Sequence, residues 1–202
     1  DRLVIGHVGR LAPEKNLDYL ARAVCLFLDR HPSARFLVVG SGPSESRIRE
    51  IFESAGQESR LFLAGSQTGE ALRDLYSAMD LFVFSSKSET QGMVLAEAMA
   101  AGKPVIGLDA PGTREVVRDD WNGRLLAADA PIEAFVQAME EFALDPEKAN
   151  RWRQGAAETA PAFSRRQCGL KMAGLYEAIL ADHHSENGDS DVFTPWDSLL
   201  RA

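Results

Sequence analysis

The sequence predicts an α/β protein built on a parallel sheet with helices on both faces. Three observations carry this. Five strand-length apolar runs alternate with segments whose apolar residues recur three and four apart, the helical spacing. The runs are mostly apolar without strict alternation, as strands buried on both faces are. Short loops bearing glycine or small polar residues follow most of the runs, where a backbone must turn sharply or let a ligand come close.

The first run is Leu3-Val-Ile-Gly-His-Val8, ending in Gly9. Leu17, Leu20, Ala21, Val24 and Leu28 then mark a helix, with Asn16 as its expected N-cap. Arg35 to Gly40 is a second strand, Ser44 to Ala55 a second helix, and Leu61 to Ala64 a third strand. Leu72, Leu75, Tyr76 and Met79 mark a third helix. Leu81-Phe-Val-Phe84 and Pro104 to Leu108 are two more strands, separated by a helix from Gly92 to Ala101 that Gly102 closes. Asn122-Gly123 signals a turn. Arg124 to Leu126 reads as a short sixth strand, and the remainder as helices to about Ala181. From His183 the chain becomes polar and acidic, so residues 1–182 are expected as the folded domain and 183–202 as a flexible tail.

A chain of 202 residues is one full domain or a small pair. With 45% hydrophobic and 26% charged residues, it is neither disordered throughout, nor fibrous, nor a disulfide scaffold. A net charge of −8 disfavours a general nucleic-acid binder and leaves room for a local basic pocket. No apolar run approaches the ~20 residues of a membrane helix. Cys25 and Cys168 sit far apart in helical patterns, and both are expected as buried thiols of a reducing compartment, which points to the cytoplasm. The opening Asp1-Arg-Leu-Val-Ile-Gly, with no Met and no signal peptide, reads as a cut inside a longer protein.

Ligands of open parallel sheets bind beyond the carboxyl ends of the strands, so the loops there carry the chemistry. After the first strand, Gly9 frees the backbone, and Arg10 and Lys15 share one loop ahead of a helix start, an expected anion site. Gly40-Ser-Gly-Pro43 suggests a dinucleotide fingerprint, but Glu45 stands where the third glycine belongs and the loop follows the second strand. A glycine-rich turn lining a cleft is the better reading. Gly65-Ser66-Gln67 is small and polar and suits a flat base. The loop after Phe84 places Glu89 ahead of a helix opened by Gly92, whose first free N–H groups can face an anion. Glu97 interrupts an apolar face made by Val94, Leu95, Ala98 and Met99, so it is expected to need partners. Carboxylates accept well from paired hydroxyls, which makes a ribose or hexose a natural ligand for both. The four histidines, His7, His31, His183 and His184, show no metal-ligand spacing, and no metal is expected.

Taken together, these motifs resemble the retaining glycosyltransferases of the GT-B architecture, the glycosyl transferases group 1 family, which includes sucrose synthases, mannosyltransferases and bacterial lipid glucosyltransferases. The resemblance runs from Arg2 to about Tyr176. It rests on Gly9-Arg-Leu-x-x-x-Lys15, Val39-Gly-x-Gly-Pro43, Glu89-Thr-Gln-Gly-Met-Val-Leu-Ala-Glu97, Pro104-Val-Ile, Gly112-x-x-Glu115-Val-Val and Asn122-Gly123. It implies the C-terminal, donor-binding half of a two-domain Rossmann-like fold. The implied partners are a nucleoside-diphosphate sugar, as substrate rather than cofactor, and an N-terminal acceptor domain. Contact with the inner face of a membrane would come through that domain. By position, Arg10 and Lys15 would hold the diphosphate, and Glu89 the hydroxyls of the transferred sugar. Gln91, Gly92, Met93 and Val94 would offer backbone N–H groups, Glu97 would bind ribose, and Gly65, Ser66 and Gln67 would line the base. Gln91 departs from the family's usual Phe, and Ala110-Pro111-Gly112 from its usual glycine pair. The resemblance also implies metal-free transfer of a hexose with retention, needing both domains. The alternatives are a noncatalytic nucleotide- or sugar-binding module on the same sheet and a dehydrogenase cofactor domain, the latter disfavoured by the failed fingerprint.

Overall fold

The alternation closes into one parallel sheet of six strands, β1 (Val4–Val8), β2 (Arg35–Val39), β3 (Leu61–Leu63), β4 (Leu81–Phe84), β5 (Val105–Leu108) and β6 (Gly123–Leu126). Their order is β3-β2-β1-β4-β5-β6, and every pairing is parallel. The computed structural model describes residues 2–186, with side chains through residue 180. Two compact units result, Asp1–Pro161 and Ala162–Ala202.

The first unit holds the sheet and the helices on its two faces, α1 (Leu17–Arg30), α2 (Glu45–Ser54), α3 (Gly69–Ala78), α4 (Met93–Ala100), α5 (Pro111–Val116), α6 (Ile132–Leu144) and α7 (Pro146–Thr159). The spacing read for α1 is its packing face: Leu17, Leu20, Ala21, Val24 and Leu28 are all buried. They join Ile5, Leu81, Val83, Ile106 and Leu108 of the central strands and Phe135 and Trp152 of α6 and α7 in one core. Strands β4 and β5 are buried at every residue, as expected of strands covered on both faces. At the edge, β3 is shorter, and its Phe62 is half exposed.

Two elements differ from the sequence reading. Helix α5 has no counterpart in it, because six residues opened by Pro-Gly are too few to show a period and read as loop. Asn16 does precede α1, but it adopts a left-handed φ of 55° and makes no side-chain cap. Gly102 performs as expected: with φ 72° it donates to Met99 O while Lys103 N–H reaches Ala98 O, closing α4 in a left-handed cap.

The Asn122-Gly123 signal marks more than a turn. Asn122 is fully buried; its Nδ2 donates to Val116 O and to Thr159 Oγ1, each at 3.0 Å, and its Oδ1 accepts from Arg118 N–H at 2.8 Å. One amide thus ties the end of α5, the turn before β6 and the end of α7.

The second unit is described only as the short turn Ala160–Phe163 that leads into it and helix α8 (Arg165–Glu186). Every described side chain of α8 is exposed, Cys168 among them, so the expectation of two buried thiols holds for Cys25 and fails for Cys168. Helix α8 continues through 183–186, the first residues of the segment read as a tail, and 187–202 lie outside the described residues. Among the described residues no helix is long and apolar enough to cross a membrane.

Asn122→Ala is expected to lower the unfolding free energy by about 1–3 kcal/mol, because it takes the partner from Arg118 N–H and from Val116 O, while Thr159 Oγ1 keeps its bond to Gly155 O. Urea denaturation checks this; an unchanged midpoint would show that the three-way tie is idle.

Candidate functional site

Strands β1 and β4 are hydrogen-bonded neighbours, although helices α1 to α3 and two other strands separate them in sequence. The loops that follow them, Gly9–Asn16 and Ser85–Gly92, therefore leave the sheet side by side, at the point where the strand order reverses. Buried Ser85 fastens the loops together. Its Oγ donates to Lys15 O at 2.9 Å or Asn16 O at 3.0 Å, and Asn16 Nδ2 reaches Ser85 O at 3.3 Å. This explains the unusual Asn16: its side chain serves the neighbouring loop instead of its own helix.

A cleft of about 350 Å³ opens between the two loops. His7, Val8, Gly9, Arg10, Glu14 and Lys15 form one wall, and Phe84, Glu89, Thr90, Gln91, Met93 and Val94 the other. Around the Gly9-Arg10 corner lies a second, more open cleft of about 390 Å³, shared by Val8, Gly9 and Arg10 with Val39, Gly40, Ser41, Ser66 and Gln67. Ser41 and Ser66 hydroxyls meet across it at 2.7 Å. The glycine-rich turn read at Gly40 thus does line a cleft. A side chain at Gly40 would collide with the Gly9 carbonyl, so the two loops touch backbone to backbone.

Of the residues singled out in the sequence, Gly65, Gly92 and Glu97 line neither cleft. Gly65 O accepts from Gly40 N–H at 2.8 Å and fixes the base of the second cleft. Gly92 is buried at the head of α4 with φ 63°, and a Cβ there would sit 2.5 Å from Gly112 O. Gly112 in turn donates from its N–H to Glu89 O at 2.8 Å, and a Cβ on it would sit 2.7 Å from Gln91 N. Only glycines allow α5 to clamp the Glu89 loop this closely. Glu97 is exposed, not set in the apolar face, because Leu95, Ala96, Ala98 and Met99 turn inward while Met93, Glu97 and Ala100 share the outer stripe. Its partner is Tyr76, whose hydroxyl donates to Glu97 Oε2 at 2.8 Å. Burial, then the charge of Glu97 and the hydrogen bond to it, keep that phenol protonated.

The two cations expected to stand ready for an anion are each engaged. Exposed Arg10 pairs with Glu14 one turn on. Lys15 Nζ meets Glu89 Oε2 at 2.9 Å and lies 5.9 Å over the Phe84 ring. Glu89 Oε1 accepts from Gly92 N–H at 3.2 Å. Burial raises the Glu89 pKa, but the hydrogen bond and charge of Lys15 and the N–H groups of Gly92 and Gln91 outweigh it, so the carboxyl titrates below its ordinary range. Among the described residues no three His, Cys, Asp or Glu side chains gather to hold a metal ion.

Sequence reasoning missed His7, Tyr76 and Gly112 as contributors. Gly112 was visible as part of a motif. His7 carried a signal too, as the one polar side chain in an apolar strand. It is buried, its Nδ1 meets Val83 O at 3.0 Å, and its ring stacks near Phe82 and Phe84 at 6.2 and 6.0 Å. Burial, helped by nearby Lys15 and opposed by the Val83 carbonyl, lowers its pKa from 6.5 to about 4. The unfolded chain therefore takes up this proton at a higher pH than the folded one. The contribution of this group to stability is fully present above pH 6.5 and is lost as the pH drops toward 4. This one group accounts for a loss on the order of 3 kcal/mol. His7→Phe is expected to flatten the fall in melting temperature between pH 7 and pH 4.5; a variant as acid-sensitive as the parent would place the loss elsewhere.

Comparison with known proteins agrees with this fold. The family description "Glycosyl transferases group 1" matches residues 1–159. The D-inositol 3-phosphate glycosyltransferase of Streptomyces griseus is 35% identical over 192 residues, covering 91% of this chain and 40% of that protein. The pneumococcal O-GlcNAc transferase GtfA, solved in complex with UDP and GlcNAc, is similar with a TM-score of 0.76 at 27% identity, over 88% of this chain and 36% of its own. The C-terminal domain of the group 1 protein LpcC from Francisella tularensis shares the fold with a TM-score of 0.71 at 22% identity, over 80% of this chain and 85% of that one. The chain spans less than half the length of the curated relatives it matches. On the match over residues 1–159, the chain belongs to the glycosyl transferases group 1 family.

Proposed function

We propose that the chain is the donor-binding half of an enzyme that moves a hexose from a nucleoside-diphosphate sugar to an acceptor hydroxyl, with retention of anomeric configuration. The observation that carries this is the meeting of Lys15, Glu89 and the head of α4 in one cleft at the reversal point of the sheet. That cleft combines a cation and helix-start amides for phosphate with a carboxylate for sugar hydroxyls. The adjoining cleft at Ser41, Ser66 and Gln67 has small polar walls that suit a base. The likeness to GtfA, which was solved with UDP and GlcNAc, supports the same assignment.

In the proposed reaction the bond between the anomeric carbon and the diphosphate oxygen breaks, and negative charge gathers on the leaving phosphate. Lys15, Arg10 and the N–H groups of Gln91 to Val94 stabilise that charge in place. The acceptor hydroxyl forms the new bond on the face the phosphate leaves, and its proton passes to that phosphate. Glu89 holds the sugar, while Glu97, outside both clefts on the α4 stripe it shares with cleft-lining Met93 and steadied by Tyr76, takes the ribose. An N-terminal domain holds the acceptor, a lipid or a glycan. The proposal carries a cytoplasmic setting, which the free cysteines Cys25 and Cys168 suit, with the inner membrane face as the meeting place for a lipid acceptor.

In the intact protein, Glu89→Gln is expected to lower kcat by about 10²-fold, because it loosens the reacting sugar. Glu97→Gln is expected to raise KM with kcat largely kept, since ribose does not react. Steady-state kinetics alongside melting temperatures check both; parent-like kinetics in both variants, or losses that follow melting temperature alone, would defeat the assignment. Donor binding without any transfer would favour the noncatalytic module. Turnover is also expected to survive excess chelator; activity that vanishes there and returns with magnesium or manganese would overturn the metal-free scheme.

A further inference from the structure

Both cations assigned to the diphosphate already carry a carboxylate of the chain itself, and the two pairs are not alike. Arg10 and Glu14 lie one turn apart with side chains 70% and 41% exposed, where water screens the pair. Lys15 and Glu89 join two different loops with side chains only 21% and 16% exposed. The second oxygen of Glu89 accepts from the Gly92 N–H, at the head of an eight-residue helix. A carboxylate with a cation on one oxygen and a helix-start amide on the other occupies the place that suits two phosphate oxygens.

We propose that Glu89 is a built-in competitor for the donor diphosphate. In the free protein its carboxylate fills the anion position made by Lys15 and the Gly92 amide, and a diphosphate binds by displacing it. The inference rests on the donor reading of this cleft and adds a coupling to it. Displacement is what releases Glu89 to accept from the sugar. The main chain of Glu89 stays pinned by Gly112 N–H at 2.8 Å, so the exchange needs a side-chain rotation only. A complete donor restores hydrogen bonds to the displaced carboxylate through its sugar hydroxyls. A nucleoside diphosphate without sugar breaks the Lys15 pair and offers nothing in return. Glu89 thereby favours the donor over the spent nucleotide and hastens release of that product.

The test is calorimetric titration of the intact protein with inorganic pyrophosphate, UDP, GDP and ADP, comparing variants on whichever ligand the parent binds most tightly. Glu89→Gln is expected to lower its Kd about 3- to 5-fold, the scale of a freed, partly exposed ion pair. Glu89→Asp, too short to bridge both partners, is expected to show a smaller gain and serves if the first variant melts early. In a Lys15→Ala background the gain disappears, because the contested cation is gone. Glu14→Gln is expected to shift Kd by less than about twofold. Unchanged or weaker binding by Glu89→Gln at a parent-like melting temperature overturns the inference and leaves the donor reading standing. A gain that persists without Lys15 also overturns it, by tracing the effect to general charge removal. Absence of binding by the parent and all variants overturns the donor reading and the inference together.

Discussion

Everything at the cleft depends on β1 pairing directly with β4. The register Ile5↔Leu81 and Gly6↔Phe82 sets two loops side by side that the chain order would otherwise keep apart. The junction is reinforced off the ladder as well, by Asp80 Oδ2 accepting from Val4 N–H at 2.8 Å and by His7 Nδ1 on Val83 O. The flanking strands cannot substitute. Only where the order reverses do the helices following adjacent strands diverge and leave room for a ligand.

Main-chain contacts then fix the loops, and charged side chains work over that fixed ground. Gly40 lies against the Gly9 carbonyl, and Gly92 against Gly112. Each contact replaces a side chain with close backbone approach, so loop positions are set by hard packing rather than by ion pairs. Ser85 adds a buried hydroxyl between the loops. Lys15, Glu89 and Arg10 are the adjustable layer, and their pairs are of the partly exposed kind that water and ligand can replace.

The sheet was legible because its strands are mostly apolar and its helices keep their period, as Leu17 to Leu28 show. The loops were legible as chemistry because glycine, cation and carboxylate recur at strand ends. What was hidden had a physical reason in each case. Helix α5 is too short for periodicity. Glu97 looked embedded because four of its helix neighbours are apolar, yet at about 100° per residue Leu95 and Met99 lie on the far side of α4 and Glu97 faces outward. Tyr76 reads as an ordinary core aromatic until Glu97 stands opposite its hydroxyl. The pairing of Lys15 with Glu89 is a contact across 74 residues, and no local pattern encodes it. Cys168 misled because helical spacing alone does not tell a buried helix position from an exposed one.

The β1–β4 junction also has a consequence for how the molecule comes into being. Strands β1, β2 and β3 follow one another and can pair as soon as they are made, but β1 keeps its other edge open until β4 arrives, with contacts spanning 76 residues. Closing a loop of that length is entropically costly and slow relative to local pairing. In chain order β4, and with it the carboxylate-bearing wall of the cleft, is made only after β1, β2 and β3, so the edge of β1 that it covers is the last part of this half of the sheet to find its partner.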